Sequence, residues 1–165
     1  MSRKGIIIFS AFMVFLISSF IHAQSQYNVG KFVIYTPSGW QKESGEKNNI
    51  ILTSSGNECY LSFLVINKGD EEVKAGAIFT SLIKTFNFDT QSNTSEEFNL
   101  DNALHVTFKY GNADMKEDNS KYKFIWAQID NDEENSILAF GFCDYAKFPL
   151  YKNQIYSILK NIKYK

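Results

Sequence analysis

Apolar residues return every three or four positions after Asp70: Ala75, Ile78, Phe79, Leu82, Ile83 and Phe86. That spacing gathers them on one stripe of an α-helix spanning about residues 70–86. Asp70, Glu71 and Glu72 open it, where acidic side chains suit the positive end of the helix dipole. A second stripe, Tyr151, Ile155, Ile158, Leu159 and Ile162, follows Pro149, a residue suited to a first helical turn.

The segments between have the period of strands. Residues 31–35 (KFVIY) form one, stopped by a turn at Pro37-Ser38-Gly39. Residues 42–49 are a polar hairpin loop, and 49–53 the next strand. Residues 58–66 and 136–144 are nearly all apolar, the pattern of strands covered on both faces. Gly141 marks a bulge or a close approach in the second of these. Residues 103–110 alternate, with Leu104, Val106, Phe108 and Tyr110 on one side and His105, Thr107 and Lys109 on the other. Residues 121–129 add a strand, and the polar run 88–97 holds at most a short edge strand near 94–98. Residues 24–29 are expected to be disordered, and 111–120 to form a charged loop. The order is three strands, a helix, three or four strands, and a helix. Short polar loops favour hairpins, so the expected class is α+β: an antiparallel sheet of about six or seven strands flanked by two main helices.

Ahead of this pattern, Arg3 and Lys4 precede an apolar run at 6–21, and Ile21-His22-Ala23 offers a cleavage site. Residues 1–23 are therefore read as a signal peptide, and 24–165 as one exported domain, periplasmic or secreted, with no membrane span after cleavage. Cleavage takes Arg3 and Lys4 from the 17 basic residues, leaving 15 against 18 acidic ones, a net charge of −3. No arginine remains in 24–165. Without that planar fork and with a negative balance, nucleic-acid binding is excluded.

Residues 32–40 (FVIYTPSGW) join a strand to Pro-x-Gly-Trp, followed by a polar hairpin, two strands and a long helix. This order resembles proteins of the PsbP-like fold, which also include the Ran-binding Mog proteins and the periplasmic DcrB-type proteins. The likeness in element order runs through nearly all of 24–165. The resemblance implies an α/β/α sandwich. It implies little about activity, because its members serve as accessory subunits, chaperones and binding partners.

Candidate chemistry is sparse. His105 is the one histidine of 24–165 and stands on the polar side of its strand, near Asp101 and Thr107, with no nucleophile elbow elsewhere. One histidine and two distant cysteines do not make a zinc site. The run 130–134 (DNDEE) fails the EF-hand pattern and reads as an acidic hairpin tip. No catalytic residue, metal or cofactor is assigned. Cys59 and Cys143 each sit in an apolar strand; they read either as a disulfide in an oxidising compartment, which requires those strands to be neighbours, or as two small buried residues used as apolar filler. Aromatic residues are plentiful, and Trp40, Tyr122, Trp126 and His105 are taken as a candidate binding surface. The expected function is a non-enzymatic binding or accessory protein whose partner is another exported protein. The alternatives are a small-molecule carrier with an aromatic-lined pocket and a periplasmic immunity protein; a hydrolase ranks below both.

Overall fold

The computed structural model describes residues 24–100, 103–130 and 134–165. The signal peptide expected at 1–23 and most of the acidic run 130–134 lie outside the described residues. The elements run β1 (Ser25–Val29), β2 (Phe32–Thr36), β3 (Trp40–Ser44), β4 (Asn49–Ser54), β5 (Cys59–Asn67), α1 (Glu71–Thr85), β6 (Phe86–Asn99), β7 (His105–Met115), β8 (Lys121–Asp130), β9 (Asn135–Asp144), α2 (Phe148–Lys160) and β10 (Lys163–Tyr164).

Seven strands form the main sheet in the order β3-β4-β5-β9-β8-β7-β6. Every neighbouring pair in it is antiparallel. Two meanders build it, β3-β4-β5 and β6-β7-β8-β9, and they meet where β5 pairs with β9. The chain passes from β5 to the far edge strand β6 through α1, which therefore lies across one face. The other face carries α2 and a second sheet, β1-β2-β10. The class is α+β with a seven-stranded antiparallel sheet flanked by two helices, as the pattern predicts.

The second sheet corrects two expectations. Residues 25–29 form a strand, β1, paired from Ser25↔Thr36 to Val29↔Phe32. Their polar look comes from Gln26 and Asn28, which face solvent, while Val29 is buried. The strand at 31–35 leaves the main sheet and joins β1 and β10. Strands are also longer than expected. Residues 111–115, expected in a loop, continue β7 because β6 and β8 pair with them on both sides.

The larger core lies on the α2 face. Leu61, Phe63, Val106, Phe108, Ile125, Ile129 and Ile137 point there from the sheet and meet Ile155, Ile158 and Leu159 of α2 and Phe32 and Ile34 of β2. The opposite face carries a smaller cluster: Ile66, Phe86, Ala113, Phe124, Trp126, Leu138 and Phe142. Gly141 is a close-packing site, since a Cβ there would overlap the carbonyl oxygen of Tyr60 on β5. No helix among the described residues is long and apolar enough to cross a membrane.

Candidate functional site

Helix α1 is tied down at its ends and loose between them. At its start Glu71 accepts from the Ser136 hydroxyl (3.0 Å) and the Gly69 amide (2.6 Å). Its own backbone amide, then the Ser136 and Gly69 donors, hold its carboxyl below the usual range against the opposing effect of burial. At its end Lys116 donates its ammonium to the Ile83 carbonyl (2.5 Å) and its amide to that of Thr85 (2.8 Å). Between these anchors Ala75, Ile78 and Leu82 rest on the sheet half-buried, and no α1 residue is fully buried. Val73, Phe79 and Ile83 are left 72%, 36% and 50% exposed. A helix with this stripe was expected to cover its face; it covers part of it.

The sheet face that α1 meets is aromatic. Phe86 stacks on Phe142 at 4.1 Å, Phe88 meets Phe124 edge-on at 4.9 Å, and Phe79 reaches Trp126 at 5.1 Å and Phe124 at 5.5 Å. Offset and edge contacts of this kind favour a fixed ring arrangement. Beside it β6 is interrupted: its pairing with β7 jumps between Asp89 and Thr94. The detour is ordered by its own bonds. Asp89 Oδ1 accepts from the Gln91 amide (3.0 Å), the Ser92 hydroxyl donates to the Asp89 carbonyl (3.0 Å), and Ser92 Oγ accepts the Asn112 amide (2.8 Å). Gly111 leaves room for Asn93, whose Oδ1 occupies the space a Cβ would need. Bulges of this sort re-aim side chains beside binding sites.

Helix, bulge and sheet enclose a cleft of about 210 Å³ walled by Phe79, Phe88, Phe124 and Trp126. Thr90, Asn93 and Lys109 stand at its polar side. Lys109 is exposed and has no ion-pair partner among the described residues. The arrangement can hold a small apolar group and present a cation and an amide to whatever the group carries.

Of the four residues expected to form a surface, the structure brings Trp126 into this cleft. Tyr122 lies on the same sheet face but outside it, edge-on to Phe86 at 5.9 Å. His105 is exposed on β7, its Nδ1 2.9 Å from Asn99 Oδ1. Asp101 falls outside the described residues. Trp40 belongs to the other side of the sheet, where it is 4% exposed and packed against α2. Phe79, Phe88, Asn93 and Lys109 were not assigned from sequence to a binding surface. The alternation of Phe86 and Phe88 was the available signal, hidden by the polar run after it.

A broader groove of about 580 Å³ lies on the α2 face, between that helix and β6, with Glu96, Lys152, Tyr156 and Lys160 on its walls. Its cations are engaged. Lys152 donates to the Tyr110 hydroxyl (2.9 Å), which raises the Lys152 pKa, and Lys160 lies over the Phe98 ring at 5.5 Å. Burial pushes the Tyr156 hydroxyl up. No group of three or more His, Cys, Asp or Glu suited to a metal occurs among the described residues. The acidic residues at the end of β7 and in the turn after it are used locally: Asp114 pairs with Lys121 at 3.1 Å, and Asp118 accepts the Ser120 amide at 2.9 Å.

No protein-family model matches the chain, and no curated protein matches it. Among solved structures it is similar to cyanobacterial PsbP (CyanoP) from Synechocystis sp. PCC 6803, with a TM-score of 0.59 at 9% identity over 89% of this chain and 95% of that one. A Pseudomonas aeruginosa protein of unknown function aligns over 86% of this chain and 97% of its own, with a TM-score of 0.43 at 12% identity. The chain has the PsbP-like fold.

Proposed function

We propose that this is an exported, non-enzymatic binding protein, and that it holds a small apolar ligand carrying an anionic group in the cleft beneath α1. The observation that carries the reading is the convergence of Phe79, Phe88, Phe124 and Trp126 on a cleft with the exposed Lys109, which has no ion-pair partner among the described residues, at its side. Apolar walls with a few placed polar groups are the usual make-up of a ligand site. A ligand seated there would place its apolar part among the rings and its charge toward Lys109 and Asn93. The non-enzymatic part of the reading is supported by His105, which lies outside the cleft with Asn99 as its partner. Export rests on the basic and apolar pattern of residues 1–23.

A second reading has its own observation. Val73, Phe79 and Ile83 leave an apolar shoulder exposed on α1, which suits another exported protein.

The test begins with protein produced from the full-length gene and recovered from its own cell envelope. Native mass spectrometry should find residues 1–23 removed and a small bound mass. A stoichiometric polypeptide instead would favour the second reading, and a bare chain would count against both. Binding is then measured with 1-naphthoate as probe. The chain has two tryptophans, so in Trp40→Phe the fluorescence reports on Trp126 alone. Saturable quenching is expected, weakened in Lys109→Ala and unchanged in His105→Ala. Quenching that does not saturate would overturn the cleft as the site.

A further inference from the structure

Cys59 opens β5 and Cys143 stands near the end of β9, and the two lie directly opposite in the ladder. The condition set by the sequence, neighbouring strands, is met. The kind of pairing matters as well. The Asp144 amide donates to the Glu58 carbonyl (2.7 Å) and, at the far end, the Lys68 amide to that of Glu134 (2.8 Å). Even-numbered positions of β5 are therefore the hydrogen-bonded pairs, and Cys59↔Cys143 is a non-hydrogen-bonded pair, where opposed Cα atoms come within about 4.5 Å. A disulfide spans Cα separations of roughly 4.4–6.8 Å, so this pair lies inside its reach without moving either strand. Both side chains point to the α2 face and both are fully buried. In this structure both thiols are free, and they are hydrogen-bonded to each other.

We infer that Cys59 and Cys143 are an oxidation site: in an oxidising compartment they form an intramolecular disulfide that staples β5 to β9. The inference rests on the export reading, which supplies the compartment. The step is thiol–disulfide exchange with an oxidising disulfide, protein-borne or small. The Cys59 thiolate attacks the oxidant's disulfide, forming a mixed disulfide and releasing one oxidant thiolate. The Cys143 thiolate then attacks the Cys59 sulfur, closing the protein disulfide and releasing the second oxidant thiolate. Two protein thiols lose two protons and two electrons, and the oxidant's disulfide becomes two thiols.

The timing follows from burial. Both thiols are fully buried in the folded chain, out of reach of an oxidant in solution, and the hydrogen bond to Cys143 and the apolar surroundings raise the Cys59 pKa above its ordinary value. Oxidation therefore precedes closure of the sheet, while the chain is still emerging, and the finished bridge is shielded from reductants. The position has a structural logic. The two meanders of the main sheet are joined through α1 and meet only along β5 and β9. A bridge at Cys59–Cys143 pins that seam and closes a loop holding residues 60–142, a long loop whose closure removes much freedom from the unfolded chain.

The test uses protein made from the full-length chain, unfolded in denaturant with reductant and refolded in a mixture of oxidised and reduced glutathione. The expected product has no titratable thiol, is lighter by the mass of two hydrogens, and yields a Cys59–Cys143 linked peptide. Its melting temperature should exceed that of the same protein refolded under reductant by about 10 °C. The reduced wild type serves as the comparison, so nothing depends on whether Cys59→Ala folds. Thiols that remain free after oxidative refolding, or a bridged form that melts below the reduced one, would overturn the inference. A parallel sample of the native envelope is dissolved in denaturant that already contains the alkylating agent, so that buried free thiols are labelled as well. If the bridge forms on refolding but native protein carries two alkylated cysteines, the geometry stands, while export and the resident disulfide both fall.

Discussion

The indole N–H of Trp40 donates to Oε1 of Gln154 at 2.7 Å, joining the edge strand β3 to α2. Trp40 is buried, and Tyr151 meets its ring edge-on at 6.0 Å. The turn before it presents the ring: Gly39 has φ +88°, open to glycine, and its carbonyl accepts the Ser55 amide at 2.6 Å. Pro-x-Gly-Trp is thus a device for folding a large ring under α2. Gln154→Leu would leave the indole N–H buried without a partner, at a cost of about 1–3 kcal/mol. Gln154→Glu keeps an acceptor and should cost less. Urea unfolding checks both, and a Leu variant with an unchanged midpoint would show that the bond contributes nothing.

Two glycines should respond in opposite directions to alanine. At Gly141 the new methyl would overlap the Tyr60 carbonyl and press on the Leu61 side chain, in the seam between the two meanders. Neither strand can retreat without breaking the ladder. A loss of more than about 3 kcal/mol and a collapse in soluble yield are expected. At Gly76, inside α1, a Cβ meets nothing within 4 Å. Gly76→Ala should stabilise by about 0.5–1 kcal/mol through the lower backbone freedom of alanine in the unfolded chain. Thermal unfolding of the two variants side by side decides it.

Glu71 makes the start of α1 sensitive to acid. Its carboxyl titrates below the ordinary glutamate value of 4.5, because hydrogen bonds favour the charged form. A depressed folded-state pKa adds stability that is complete above 4.5 and disappears as the pH falls through the lower folded value. Corrected for the intrinsic rate at each pH, amide protection in α1 should therefore fall on acidification while that in α2 stays high. Glu71→Gln should quicken α1 exchange at neutral pH and flatten the dependence. Equal acid sensitivity in the two helices would refute the assignment to Glu71.

The period of apolar residues placed both helices and most strands because each follows one repeat over many residues. It could not rank the helices. The α1 stripe, Ala75 to Phe86, is as regular as that of α2, yet α2 packs against both the main sheet and β2, while α1 has the sheet alone. That difference comes from the second sheet, and β1 was concealed by Gln26 and Asn28 on its solvent side. The cleft was half legible. Trp126 and the aromatic face of β8 follow from alternation, but Asn93 and Lys109 meet there only because β6 leaves its register between Asp89 and Thr94. A break in register is made by turn bonds at Asp89 and Ser92, which leave no periodic trace in a polar run.

The contrast between the faces also predicts where the molecule opens. α2 buries Phe148, Ile155, Ile158 and Leu159, whereas α1 buries no residue fully and leaves Phe79 partly in solvent. Opening α2 means dismantling the larger core, so its amides should exchange only with global unfolding. Opening α1 breaks the ties at Glu71 and Lys116 and uncovers a few rings, so its amides should exchange faster than those of α2 by on the order of a hundredfold or more. Phe79 is the one wall of the cleft that α1 supplies, so the same opening widens the entrance to the site. Saturation with 1-naphthoate should then slow exchange in α1 and leave α2 unchanged. Protection that appears in α2, or in neither helix, would separate the motion from the cleft and break the link between this helix and binding.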